Sequence, residues 1–75
     1  MSRSPFYSKF RSNLHVLREA IEGNVDLDYQ HPKVYKKLCR YYKDMGVQFY
    51  DDPSDDYELV LNCLEQDLID SGVLV

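Results

Sequence analysis

The stretch PKVYKKLCRYYKDMG, from Pro32 to Gly46, reads as one helix with both ends marked. Proline is favoured at the first helical position, because the N–H it lacks would be unpaired there. Glycine is favoured just past the last turn, because it accepts the left-handed conformation that closes a helix. Working outward, the same bracket recurs on both sides: Pro5 pairs with Gly23, and Pro53 with Gly72. All three prolines and all three glycines of the chain are used in this alternation. It predicts helices over about 5–22, 32–45 and 53–71. The expected fold is all-α, a compact three-helix bundle forming a single small helical domain over 1–75.

The hydrophobic pattern inside each bracket agrees. Ser4 is the expected cap of the first helix. Phe6, Phe10, Leu14, Leu17 and Ile21 then recur at three- and four-residue steps and share a face. In the second helix Val34, Leu38, Tyr41 and Met45 line one side, widened by Tyr35, Cys39 and Tyr42. In the third, Tyr57, Val60, Leu61, Leu64 and Leu68 point inward, and Asp52-Pro53 supplies cap and first residue. Leu59, Cys63 and Ile69 fall on its outer side instead. Tyr41, Tyr42 and Tyr57 read as core or core-edge residues.

The connection 24–31 has another period. Val25, Leu27 and Tyr29 alternate with Asp26 and Asp28. This predicts an extended segment that lays one side on the core. A short strand is the stronger form of that expectation, with 47–50 and 73–75 as pairing segments.

Seventy-five residues make one domain that buries only about 60% of its unfolded surface. Such a core leaves little room to enclose a cofactor and a substrate together. No apolar run approaches the ~20 residues of a membrane span. Residues 1–6 hold no apolar signal region, so a cytoplasmic location is expected, with no membrane partner. Cys39 and Cys63 then read as free thiols, and a bridge between the second and third helices is the alternative.

The net charge of −4 conceals a partition. The second helix carries Lys33, Lys36, Lys37, Arg40 and Lys43 on one stripe, against Asp44 alone. The third carries Asp55, Asp56, Glu58, Glu65, Asp67 and Asp70, with Asp51 and Asp52 just before it, and no base. No lysine or arginine follows Lys43. Two solvated faces of opposite sign would attract each other only weakly, at about 0–1 kcal/mol per exposed pair. Facing a partner, they would govern encounter rate and specificity.

This pattern points to a non-enzymatic protein-interaction module: a small inhibitor, adaptor or accessory subunit. Size, acidity and polarity suit a viral- or phage-type inhibitor of a host protein. The expected contact residues are Lys33, Lys36, Lys37, Arg40 and Lys43 on the basic face. On the acidic face they are Asp51, Asp52, Asp55, Asp56 and Glu58, joined by Leu59, Cys63 and Ile69. Nucleic acid bound by the basic helix 32–45 is the alternative. The negative net charge opposes it, and so does a connection longer than a helix-turn-helix turn. A homodimer joining the basic helix of one copy to the acidic helix of the other is a third reading.

Chemistry finds few candidates. His15 is expected to face solvent, and His31 precedes Pro32 as a cap or linker residue. With Cys39 and Cys63 they make no zinc-ligand spacing. The run from Asp51 to Asp56 lacks the alternating ligands and central glycine of an EF-hand loop. No catalytic, metal or cofactor residue is expected.

Overall fold

A computed structural model describes residues 5–74. The chain is all-α: α1 (Pro5–Phe10), a 3-10 turn (Arg11–Asn13), α2 (Leu14–Ile21), α3 (Leu27–Gln30), α4 (Pro32–Asp44) and α5 (Pro53–Asp70). Helices α2 and α4 both pack on α5, and α3 packs on α4. Ser4, the expected first cap, lies outside the described residues.

The glycines close their helices as the brackets require. Gly23, Gly46 and Gly72 have φ of 83°, 95° and 80°. Past α4, the Gly46 N–H donates to the Lys43 carbonyl at 3.0 Å and the Val47 N–H to the Tyr42 carbonyl at 2.9 Å. Past α5, the Gly72 and Val73 N–H groups do the same to Ile69 and Leu68. This paired closure satisfies carbonyls that a helix end leaves open. At the other end of α5, the Asp52 carboxylate accepts from the backbone of Ser54 at 3.0 Å and Asp55 at 3.1 Å.

Three expectations are corrected. The first helix is not continuous over 5–22. A 3-10 turn over Arg11–Asn13 interrupts it, where Ser12 and Asn13 are weak helix formers, although Asn13 makes no side-chain cap bond to α2. The turn lets α1 and α2 serve different neighbours. Phe6 and Phe10 of α1 meet the Tyr41 ring of α4 edge-on, at 6.0 and 5.5 Å between centroids. Leu17 and Ala20 are the buried residues of α2, the helix that packs on α5. The Lys9 carbonyl just before the turn accepts from Lys37 Nζ at 2.8 Å, which ties α4 to α1.

The second correction concerns 24–31. No strand forms among the described residues, and Leu27–Gln30 is one helical turn. Asp26, in extended conformation, receives this turn, and the Gln30 side chain reaches back to accept the Asp26 N–H at 2.8 Å. The alternation fails because only Leu27 is fully buried, while Tyr29 is 84% exposed. The third is Met45, which is exposed rather than inward. Helix α4 ends at Asp44, the chain turns at Gly46, and Val47 takes the place against the core.

Phe6, Phe10, Leu17, Leu27, Leu38, Val60, Leu64 and Leu68 are fully buried, with Ala20, Tyr41 and Tyr42 nearly so. Each large apolar side chain so buried contributes roughly 1.5–3 kcal/mol. Polar links fix the register around this core. The Tyr42 hydroxyl donates to Asp67 Oδ2 at 2.7 Å, joining α4 to α5. The Leu27 N–H donates to the Tyr57 hydroxyl at 2.9 Å, joining α3 to α5.

Candidate interaction surfaces

Helix α4 buries Leu38, Tyr41 and Tyr42 and leaves Lys33, Lys36, Lys37, Arg40 and Lys43 exposed on the far side. At ~100° per residue the five cations span about a third of the circumference. The structure divides them. Lys37 holds the Lys9 carbonyl and lies 5.0 Å from the Phe10 ring centroid. Lys43 lies 5.4 Å from that of Phe49. Both therefore support the fold. Lys33, Lys36 and Arg40 have no such attachment among the described residues and keep their charge for other contacts.

The acids divide in the same way. Asp52 is the cap of α5. Asp56 Oδ1 accepts the Tyr50 N–H at 2.7 Å and holds the preceding loop to the helix. Asp51 takes a left-handed φ of 61° in that loop, a conformation aspartate tolerates better than most residues. Asp55 and Glu58 are exposed, and among the described residues their carboxylates accept no hydrogen bond. With Tyr50, Leu59 and Asn62 they line a shallow depression of about 340 Å³. Tyr50 and Asn62 were not singled out by the sequence pattern. The Tyr50–Asp56 bond brings the tyrosine there, and nothing in the spacing announces it.

The expected common side of Leu59, Cys63 and Ile69 does not form. Cys63 is half-buried and packs against the core. It lies on the flank of α5 that faces Tyr42 of α4, which extends the inward arc beyond the leucine stripe. Ile69 is 42% exposed, and Leu59 is half-buried at the depression beside Tyr50. Ten residues separate them, about 15 Å along the helix.

The two charged sets do not neutralise each other. The sole ion pair among the described residues joins Arg18 to Glu22 within α2, at 3.4 Å. No cation of α4 pairs with a carboxylate of α5, although the two helices are packed together.

A groove of about 630 Å³ runs along one edge of α4, lined by Tyr35, Lys36, Cys39, Arg40, Lys43 and Asp44. Its apolar lining is the Tyr35 ring and the Cys39 thiol. Burial raises the Cys39 thiol, and Tyr35 and Lys43 beside it offset that only in part. The shift opposes the thiolate form, the reverse of what activates a nucleophile. Burial likewise raises the Tyr35 hydroxyl, with Cys39 second, to above the ordinary tyrosine range. Cys39 and Cys63 are both free thiols.

Among the described residues no group of three or more His, Cys, Asp or Glu is placed to hold a metal ion. None of their helices is long and apolar enough to cross a membrane. No family model, curated protein or solved structure matches this chain.

Proposed function

We propose that the chain is a non-enzymatic protein-interaction module, an inhibitor, adaptor or accessory subunit that recognises a protein partner through its charged faces. One observation carries this reading. The cations of α4 and the carboxylates of α5 lie on neighbouring helices of one small fold and yet form no ion pair with each other. The fold is held by its apolar core, two tyrosine hydroxyl bonds, the Lys37–Lys9 bond, the Asp52 and Asp56 bonds at the start of α5 and three glycine closures. Among the described residues, the side chains of Lys33, Lys36, Arg40, Asp55 and Glu58 form no hydrogen bond or ion pair with it. Such residues set encounter rate and partner choice. The setting this reading implies is a reducing cytoplasm, where both cysteines stay thiols.

Affinity capture from native host extract tests it, comparing the wild-type chain with Lys33→Glu/Lys36→Glu/Arg40→Glu and Asp55→Lys/Glu58→Lys. These positions avoid the side chains bonded to the fold; reversing Asp55 in the first turn of α5 costs about 1 kcal/mol through the helix dipole, and circular dichroism checks that both variants remain helical. A protein retained by the wild type and lost from at least one variant is the expected result. Equal capture by all three chains refutes the proposal. Capture of nucleic acid alone, lost with the basic face, would support the alternative partner. A concentration-dependent doubling of sedimenting mass, abolished by either variant, would make the partner a second copy.

A further inference from the structure

The groove on α4 has a composition that narrows the partner. Lys36, Arg40 and Lys43 follow one another at steps of four and three residues, so their charges form a row about 10 Å long. Their aliphatic stems can rim an apolar floor while the charged ends stay in water. Tyr35 and Cys39 provide that floor, both half-buried. A ligand that fits needs anionic groups at helical spacing and an apolar group between them.

A phosphate backbone meets the first requirement and fails on three counts. Asp44 lines the same groove, and Asp56 of α5 acts on both Tyr35 and Cys39, so negative charge stands within reach of the cations. An unbroken row of phosphates would meet it. The Tyr35 ring is also already engaged by Tyr57, 5.5 Å between centroids, and is not free to stack a base. The chain as a whole is negative, which opposes a uniformly anionic strand more than a helix of mixed charge. A peptide helix can place carboxylates opposite the three cations and a neutral or basic residue opposite Asp44.

We infer that the α4 groove docks an acidic amphipathic helix of another protein, which sets one apolar side chain on Tyr35 and Cys39 between carboxylates that meet Lys36, Arg40 and Lys43. This rests on the interaction reading above and specifies its basic face. The contact is a helix laid along a helix, read through residues three and four apart.

The test is a selection from a displayed library of helix-forming peptides on the wild-type chain, with counter-selection on Lys36→Glu/Arg40→Glu, which leaves the Lys43–Phe49 contact in place. Enriched peptides are expected to repeat Asp or Glu at three- or four-residue steps around one Leu, Met or Phe. Arg40→Glu alone should weaken the best peptide about tenfold or more, since it also sets like charges against each other. Amide shift mapping on the wild-type chain, which needs no variant to fold, should place the peptide on Tyr35, Lys36, Cys39, Arg40 and Lys43. The inference is overturned by enriched peptides without carboxylates, by no enrichment over the variant, or by shifts that map elsewhere. It is also overturned if an oligothymidylate probe binds these residues more tightly than the peptide, or if the groove mediates self-association. Extract capture that still depends on the basic face would then leave the broader reading standing. Capture independent of both faces would remove both.

Discussion

Replacing Phe10 by alanine is expected to remove about 3–5 kcal/mol of folding stability. Phe10 is fully buried, with its ring 5.0 Å from Phe6 and 5.5 Å from Tyr41, and Lys37 above it. It is the last residue of α1, so its packing fixes the point where the chain passes into the 3-10 turn. Phe→Ala at such a site costs about 3–5 kcal/mol. A domain of this length has a total stability of roughly 4–11 kcal/mol. The loss is therefore a large part of the whole. The unfolding free energy obtained from urea titration, followed by helical circular dichroism, should drop by that amount. Phe10→Leu, which refills much of the volume, should cost about 1–2 kcal/mol. A Phe10→Ala unfolding free energy within about 1 kcal/mol of wild type would show that α1 is not part of the cooperative core.

The second large effect is alkaline unfolding. Burial, then the Asp67 carboxylate that accepts its hydrogen bond, raises the Tyr42 hydroxyl far above the ordinary tyrosine range. Burial and Asp67 raise Tyr41 too. In the unfolded chain tyrosine titrates near ~10. Below that pH both states hold the proton and the contribution to stability is complete. Above it the unfolded chain releases the proton and the folded chain keeps it, so stability falls as pH rises. The slope is up to about 1.4 kcal/mol per pH unit for each proton so held. The raised thiols of Cys39 and Cys63 and the raised hydroxyl of Tyr35 act in the same direction. Solvent reaches these three, which reduces their share. Urea midpoints should be level from neutral pH to about 8.5 and fall steeply above about 10. Tyr42→Phe should flatten the steep part by about one proton and cost about 1 kcal/mol at neutral pH for the lost bond to Asp67. Identical alkaline slopes in the two chains would mean that Tyr42 is not held protonated by the fold.

Much of this architecture is legible in the sequence, for reasons that differ by element. Pro32, Pro53, Gly46 and Gly72 act through their own backbones, so their meaning needs no tertiary context. The capping by Asp52 and the inward leucines of α5 are equally local. The break in the first helix is harder to read, because Ser12 and Asn13 are tolerated in many helices. Here, packing of Phe10 against Tyr41 and capture of the Lys9 carbonyl by Lys37 accompany the tighter turn. The segment 24–31 misleads for a related reason: two aspartates between apolar residues imitate a strand period, while Asp26 and Gln30 in fact frame one helical turn. Cys63 looks outward on a leucine-centred wheel, and only the position of Tyr42 on α4 shows that the buried arc is wider. At the surfaces, spacing alone identified the row of cations and the cluster of acids. It could not separate Lys37, Lys43, Asp52 and Asp56, which serve the fold, from Lys33, Lys36, Arg40, Asp55 and Glu58, which do not. That separation depends on bonds between elements distant in the chain.

Site-specific photo-crosslinking tests the proposal that the outward charges of α4 and α5 serve a protein partner. A benzophenone side chain is placed at position 36 on α4, at position 58 on α5, or at the exposed position 15 on α2, and each chain is irradiated in native host extract. A discrete protein adduct is expected from position 36 or 58 and none from position 15. An adduct from position 15 alone, or none from any position, would contradict it.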